Sequence, residues 1–348
     1  MVDSKQQWKA WLYLLPAIIL LLVFTVWPII NTVRIAFLEG YSPLAGILDE
    51  SQFSIGIGNF ISVVSRESFL TALTNTLMLT VITVPISCFL ALLVSVFLNS
   101  IPRFSSVFQT IYFLPYVTNS IAIGMVFAMM FNIIGYRTVE VANAGNYEVY
   151  NTFLMEKVVG YTPEGEAIKE FVEYGKIADS WGIVNNLIIA FGGEPISWIN
   201  QESTIVSNYV VLVIYIVWNA LPMKILILLG GLQSVNQQYY DAAKIDGTSP
   251  IRTFWCITVP LLSPMIAYTV ITSFIGGFKE YSSIVGIFNE KMGPPGGDGR
   301  LNTIVGYIYD AIAGDKYGVA SAAALILFGI ILVVTLINLY VSSKKVHY

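Results

Sequence analysis

Few side chains in this sequence can do chemistry. The only histidine, His347, is the penultimate of 348 residues, which sets aside imidazole catalysis and histidine metal sites. The two cysteines, Cys88 and Cys256, lie far apart in apolar runs and give neither a disulfide framework nor zinc spacing. No G-x-x-x-x-G-K-S/T phosphate loop is present; Gly175-Lys176 is followed by Ile177. What remains are isolated polar groups in apolar stretches. Lys224 sits within LPMKIL, and Lys279-Glu280 end another such run. Ionisable residues there are functional candidates by default; the plainer readings are that Lys224 snorkels to headgroups and that Lys279 and Glu280 are interfacial anchors. Trp218-Asn219 is followed by Pro222, which frees backbone groups and invites a kink. An indole face stacks on the apolar face of a pyranose ring, and an amide both donates to and accepts from hydroxyls; helix packing is the alternative. Ser273 lies one helical turn before Gly277, beside the space that Gly276-Gly277 opens. Asn119, with Tyr112 and Ser120, is a further polar candidate.

These residues must be positioned by membrane spans. The sequence is 56% hydrophobic and 11% charged, whereas a soluble domain carries roughly 25% charge. A net charge of −4 argues against a nucleic-acid partner. Crossing the hydrocarbon takes about 20 mostly apolar residues, and six segments qualify, near 10–36, 72–98, 106–131, 205–232, 255–279 and 318–341. The first lacks a small-residue cleavage site, so no cleavable signal peptide is expected. Seven Lys/Arg (Lys5, Lys9, Arg103, Lys244, Arg252, Lys344 and Lys345) crowd into the short segments on one side. The density rule therefore places both termini in the cytoplasm. Of 22 acids only Asp3, Asp241 and Asp246 fall on that side.

The outer connection at 132–204 is long and acidic, with ten Asp/Glu. Thr162-Pro163 reads as a cap and first-turn proline, and Ile168, Phe171, Val172 and Ala178 approach one helical face. A surface helix on the outer mouth is one expectation; a docking surface for an external partner is the other.

The inner stretch YDAAKIDGTSPIRTFWCITVP is too structured for a mere bend. Ser234-x-x-Gln237 has the form of a capping box. QQYYDAAKI places Tyr239, Ala242 and Ala243 on one stripe, and Asp246-Gly247 supplies a stop. Ser249-Pro250 restarts a helix that runs toward Pro260, where the fifth span is expected to begin. Small side chains on a short exposed helix suit close approach of another protein; an interfacial elbow is the alternative.

Asp241-Ala242-Ala243, three residues, Gly247, nine residues, then Ile257-x-Val259-Pro260 resembles the Glu-Ala-Ala…Gly…Ile-x-Leu-Pro loop of permease subunits of bacterial ABC importers. YYDAAKIDGTS is similar, more narrowly, to carbohydrate permeases of the maltose and glycerol-3-phosphate kind. LLPAIILLLVFTVWPIINTVRIAF, FLTALTNTLMLTVITVP, QTIYFLPYVTNSIAIGMVF, GIVNNLIIAFGGEPISWI and IGGFKEYSSIVGI with GPPGG carry the resemblance over most of 12–131 and 181–342. It implies an all-α membrane protein with the type I importer fold, in which residues 234–254 are a coupling loop seated on an ATPase. Tyr240, Asp241, Ala242, Ala243, Asp246, Gly247 and Pro260 are its coupling residues. The resemblance also implies substrate contacts from Trp218, Asn219, Ser273, Gly277, Lys279, Glu280 and Asn119. Asp241 replaces the family's Glu with a shorter arm. Gly276, Gly277 and Glu280 stand where maltose permeases carry Phe, Asn and Asn, so that pocket is not copied. Residues 132–180 look inserted.

The expected organisation is a first span in 1–36 and a permease core over 72–342, interrupted by the 132–204 loop. The expected function is ATP-driven import of a carbohydrate, an oligosaccharide by preference, across the bacterial cell membrane. On this expectation the chain is not an enzyme and holds no cofactor, and ATP and magnesium belong to two ATPase subunits. The other partners are a second, related permease and an extracytoplasmic sugar-binding protein. Import of glycerol phosphate or another anionic polyol is the runner-up, through Lys224 and Lys279. An ion-coupled transporter needs buried acids, and none sits mid-span. A membrane enzyme lacks its nucleophile and paired carboxylates.

Overall fold

A computed structural model describes residues 7–43, 53–101, 110–111, 116–145, 149–297 and 299–345. Lys5, Arg103, Tyr112 and His347 lie outside them, as does most of the proposed third span before Ser120. Four described helices are long and apolar enough to cross a membrane: α1 (Trp11–Ala36), α3 (Glu67–Ser100), α6 (Ile205–Ser234) and α12 (Tyr317–Lys344). Between α1 and α3 lie the strands β1 (Leu38–Glu39) and β2 (Ser54–Ile55) and the short helix α2 (Gly58–Val64). A bent pair, α8 (Pro250–Leu261) and α9 (Ser263–Phe278), with 70° between them, is long and apolar enough to be a fifth if it counts as one span. Of the expected third span only α4 (Ser120–Phe131) is described, 12 residues long. Pro260 lies just before the bend rather than at the start of a straight span, because Ser263-Pro264 restarts the helix after Leu262.

The chain divides into two compact units, with the boundary inside α6 between Met223 and Lys224. In the first, α1, α2, α3, α9, α11 (Ile304–Ala313) and α12 meet around Phe69, Phe278 and Tyr307. Ala320, Ala322 and Ala323 present almost no bulk, so α12 approaches its neighbours closely. Polar side chains tie loops onto this core. Asn75 Nδ2 donates to the carbonyls of Arg300 and Asn302 at 2.9 and 2.8 Å, and Thr76 Oγ1 accepts from Ile304 N at 3.0 Å.

The second unit contains α4, a three-stranded sheet, α5 (Ile183–Ala190), the first part of α6 and α10 (Ser282–Phe288). Here the all-α expectation is corrected. The antiparallel strands β3 (Ile133–Glu140), β4 (Tyr150–Tyr161) and β5 (Ala167–Trp181) follow α4, ordered β3-β5-β4. The expected helix after Thr162-Pro163 is a hairpin instead. Thr162 N donates to Glu166 O at 2.8 Å, Gly165 N donates to Thr162 O at 2.9 Å, and Gly165 takes φ +87°. Thr and Pro open a turn here, not a helix, and the flanking residues alternate as strands do. Glu140 and Lys157, from the two outer strands, form an ion pair over the middle one, and Tyr174 donates to the same carboxylate at 3.1 Å. The Lys157 ammonium holds the Glu140 carboxyl below its ordinary range. Gly182 follows the sheet, and no larger residue fits there, because a Cβ would lie 2.5 Å from the carbonyl oxygens of Met129 and Met130.

Candidate functional site

The polar turn is built by local rules. Helix α7 (Gln237–Ile245) is capped by Asn236, whose Oδ1 accepts from Gln238 N at 3.0 Å. The capping box expected at Ser234 does not form: Ser234 closes α6, and its Oγ donates to Gly231 O at 2.7 Å. At the other end Gly247 takes φ +66°. Thr248 N donates to Ala243 O at 2.9 Å and Gly247 N to Lys244 O at 3.1 Å, the paired bonds of a Schellman motif. Ser249 Oγ then caps α8, accepting from Arg252 N at 3.4 Å, with Pro250 at the first helical position.

This arrangement sorts the predicted coupling residues by direction. Ala243 is buried, and the Tyr240 hydroxyl meets Thr258 Oγ1 of α8 at 3.3 Å, a contact that ties α7 to α8. Asp241, Ala242 and Asp246 face solvent. Asp241 pairs with Lys244 at 3.5 Å on an exposed surface, where such a pair adds little. Beside them four large apolar side chains stand in solvent: Ile245 (87% exposed), Ile251 (74%), Trp255 (57%) and Tyr239 (54%). The small-residue stripe drew attention to the alanines, whereas the apolar surface lies on these larger neighbours. Their signal was visible as Ile245, Ile251 and Trp255 flanking a polar turn.

The proposed substrate contacts fall into two groups, one in each unit. In the second unit Trp218 is partly exposed and stacks on Phe127 with ring centroids 6.0 Å apart. Asn219 Nδ2 donates to Ser120 Oγ at 3.2 Å, and the Tyr215 hydroxyl donates to Ser120 O at 2.5 Å. Asn119 caps α4, its Oδ1 accepting from Ile121 N at 2.9 Å and Ala122 N at 3.2 Å. Tyr215, wholly buried, was missed; its place one turn before Asn219 on the same face is the signal that marks it.

In the first unit Ser273 Oγ donates to Thr269 O at 2.5 Å and lies 3.7 Å from Cys88 Sγ. Gly277 is a packing position: a Cβ there would stand 2.9 Å from Thr80 Cγ2, while Gly276 faces open space. Lys279 is exposed, and Glu280 Oε1 accepts from Tyr281 N at 3.1 Å. Lys224 does not snorkel. It is buried, and its ammonium donates to Ser87 Oγ on α3. Ser87 in turn donates to Thr83 O at 2.6 Å.

Comparison with known proteins places this chain among transport systems. The profile of the family described as "binding-protein-dependent transport system inner membrane component" matches residues 54–347. The arabinooligosaccharides transport system permease protein AraP of Bacillus subtilis is 28% identical over 336 residues, 96% of this chain and 88% of the relative. The lactose transport system permease protein LacF of Rhizobium radiobacter is 28% identical over 87% of this chain and 82% of its own length. Among solved structures, a bacterial ABC transporter importing the acidic polysaccharide alginate aligns with a TM-score of 0.69 at 20% identity. That alignment covers 98% of this chain and 97% of the other, and shows a shared fold.

Proposed function

Because the chain belongs to the family of binding-protein-dependent transport system inner membrane components, we propose that it is the permease subunit of an ATP-driven importer of carbohydrate, by preference an oligosaccharide. The observation that carries the coupling half of this reading is the set of exposed apolar side chains on α7 and the start of α8, on either side of a hydrogen-bonded Schellman turn. An importer must bring ATPase closure to its spans through a protein contact, and large exposed apolar residues beside small ones supply such a surface. Two ATPase subunits bind there and hold the ATP and magnesium. The bend of 70° between α8 and α9 lets the docked segment lie across the membrane face while α9 runs into it. Termini and the α7 turn are cytoplasmic on the density of Lys and Arg, and six spans make half of a pore that a second, related permease completes.

The carbohydrate half rests on the relatives, whose names specify arabinooligosaccharides, lactose, trehalose/maltose and multiple sugars. Trp218, Asn219 and Ser273 supply the aromatic face and neutral polar groups a sugar needs. Of the two cations behind the anionic-polyol alternative, Lys224 is buried and engaged with Ser87, which leaves that reading to the exposed Lys279. A binding protein delivers the sugar outside. The sheet of residues 133–181 is the surface offered to it, because its hairpin leaves Leu154, Tyr161 and Phe171 about two-thirds exposed or more. ATP-driven closure opens the spans outward and hydrolysis resets them, each state differing in contacts at both ends.

Reconstitution of this chain with its second permease, ATPases and binding protein in liposomes tests the reading. ATP-driven uptake of a neutral sugar is expected. Ile245→Asp, placing a charge in the apolar contact, should abolish uptake and ATPase recruitment while membrane insertion is unchanged. Full uptake in that variant would refute α7 as the coupling contact.

A further inference from the structure

The second unit contains a cavity of about 870 Å³ that none of the predicted contacts line. Ile121 and Met125 of α4 and Val285 of α10 form one apolar wall. The two helices approach closely because Gly124 and Gly286 meet backbone to backbone, a Cβ on Gly124 falling 2.7 Å from Gly286 Cα. Met125 and Phe127 lie about 200° apart around α4, so this wall is turned away from the Phe127–Trp218 stack.

The opposite lining is rich in amides. Asn132 ends α4, Asn200 precedes α6, and Asn289 follows α10. Asn200 is buried, 7% exposed, and its Nδ2 meets no acceptor among the described residues. A buried amide donor without a partner is costly and rare in a finished core. Tyr136 adds a partly exposed aromatic ring, and Glu290 and Lys291 bring one charge of each sign. The loop that closes this side is strained: Asn289 and Met292 both take positive φ, +59° and +50°, and Met292 has none of asparagine's tolerance for it. Such strain gathers where backbone is held around a ligand.

The volume matches that of ligand pockets. Amides that donate and accept, an aromatic face and a balanced charge pair suit a neutral polyhydroxylated ring rather than an acyl chain or an anion. We propose that this cavity is a second carbohydrate-binding site, distinct from the Trp218 and Ser273 groups, which holds a neutral sugar through Asn132, Asn200 and Asn289 as it enters or leaves the spans. The proposal rests on the importer reading above. It adds a waiting site at the end of α4 where the sheet begins.

The test uses the complete importer in nanodiscs, with lactose, trehalose and a linear arabinotriose as probes. Lys291→Cys in a Cys88→Ala, Cys256→Ala background gives a single thiol on the cavity rim for a charged maleimide. The transported sugar should protect that thiol, and Asn200→Leu should raise the half-protecting concentration about three- to tenfold, the effect of one neutral hydrogen bond. Asn200→Leu should leave the melting temperature unchanged or raised, because in the empty site the amide nitrogen has no partner to lose. Transport with an unprotected thiol would overturn the site, as would a thiol that never reacts because another subunit covers it. An unshifted half-protecting concentration in Asn200→Leu would do the same. An importer that transports none of the probes would instead overturn the parent reading, and this one with it.

Discussion

At the scale of single residues, the polar groups of the spans are visible in sequence but their partners are not. Lys224 stood out as a cation in LPMKIL, and snorkelling was the simplest reading because a long side chain near a span end reaches water. Its partner Ser87 lies 137 positions away on α3, a distance over which periodicity carries no information. Ser120, Tyr215 and Asn219 are joined the same way. The Lys224–Ser87 pair makes an asymmetric prediction. Lys224→Met removes the buried charge and fills its volume, so the purified importer should melt at the same temperature or higher. Ser87→Ala keeps the ammonium and removes its acceptor, costing about 1–3 kcal/mol and lowering the melting temperature by several degrees. Equal melting of the two variants would show that the hydroxyl is not what satisfies Lys224.

At the scale of elements, what was legible follows from how local each signal is. The stop at Gly247 and the Ser249-Pro250 restart were readable because caps and turns involve residues a few positions apart. The start at Asn236 was misassigned by two positions, since Ser234 fits a capping box but is still needed to finish α6. The hairpin was misread for a different reason. Ile168, Phe171 and Val172 are consistent with a helical face, yet KEFVEYGKI also alternates, and only the Pro-Glu-Gly turn between two such runs decides for strands. Gly247 yields the prediction for this scale. Its φ of +66° suits Gly and, next best, Asn, while a β-branched residue there costs roughly 1–2 kcal/mol. Gly247→Asn should keep most sugar-stimulated ATPase activity. Gly247→Val should reduce the docking-competent fraction, and that activity, by about 5–30-fold. Indistinguishable activities in Asn and Val variants would mean that the turn geometry is not transmitted to the ATPase.

At the scale of the whole molecule, the three-stranded sheet differs from the helices in how it is attached. Its base is the β3–β5 pair, with Ile133 opposite Trp181 and Tyr136 opposite Ala178, so the chain leaves α4 and returns to α5 at nearly the same place. Everything beyond that base is therefore separable from the spans by a short connection, such as a two-residue Asn-Gly turn joining Arg137 to Ile177, which are partners across the ladder. The sheet also carries its own polar support in the Glu140–Lys157–Tyr174 cluster, whose members all lie in the removed part apart from the spans. If the hairpin is the surface that receives a loaded binding protein, its excision should leave expression, membrane insertion and recruitment of the ATPases intact. The concentration of sugar-loaded binding protein that half-maximally stimulates ATP hydrolysis should then rise at least tenfold, an interface loss of about 1.4 kcal/mol or more. The rim of such an interface is charged, and Glu156, Lys169, Glu170 and Glu173 supply both signs on the exposed strands. Stimulation in the intact importer should therefore weaken as salt is raised from low to physiological strength, and the excised importer should lose that dependence. A shortened chain that responds to the binding protein at unchanged concentration and with unchanged salt dependence would place the docking surface elsewhere on the outer loops.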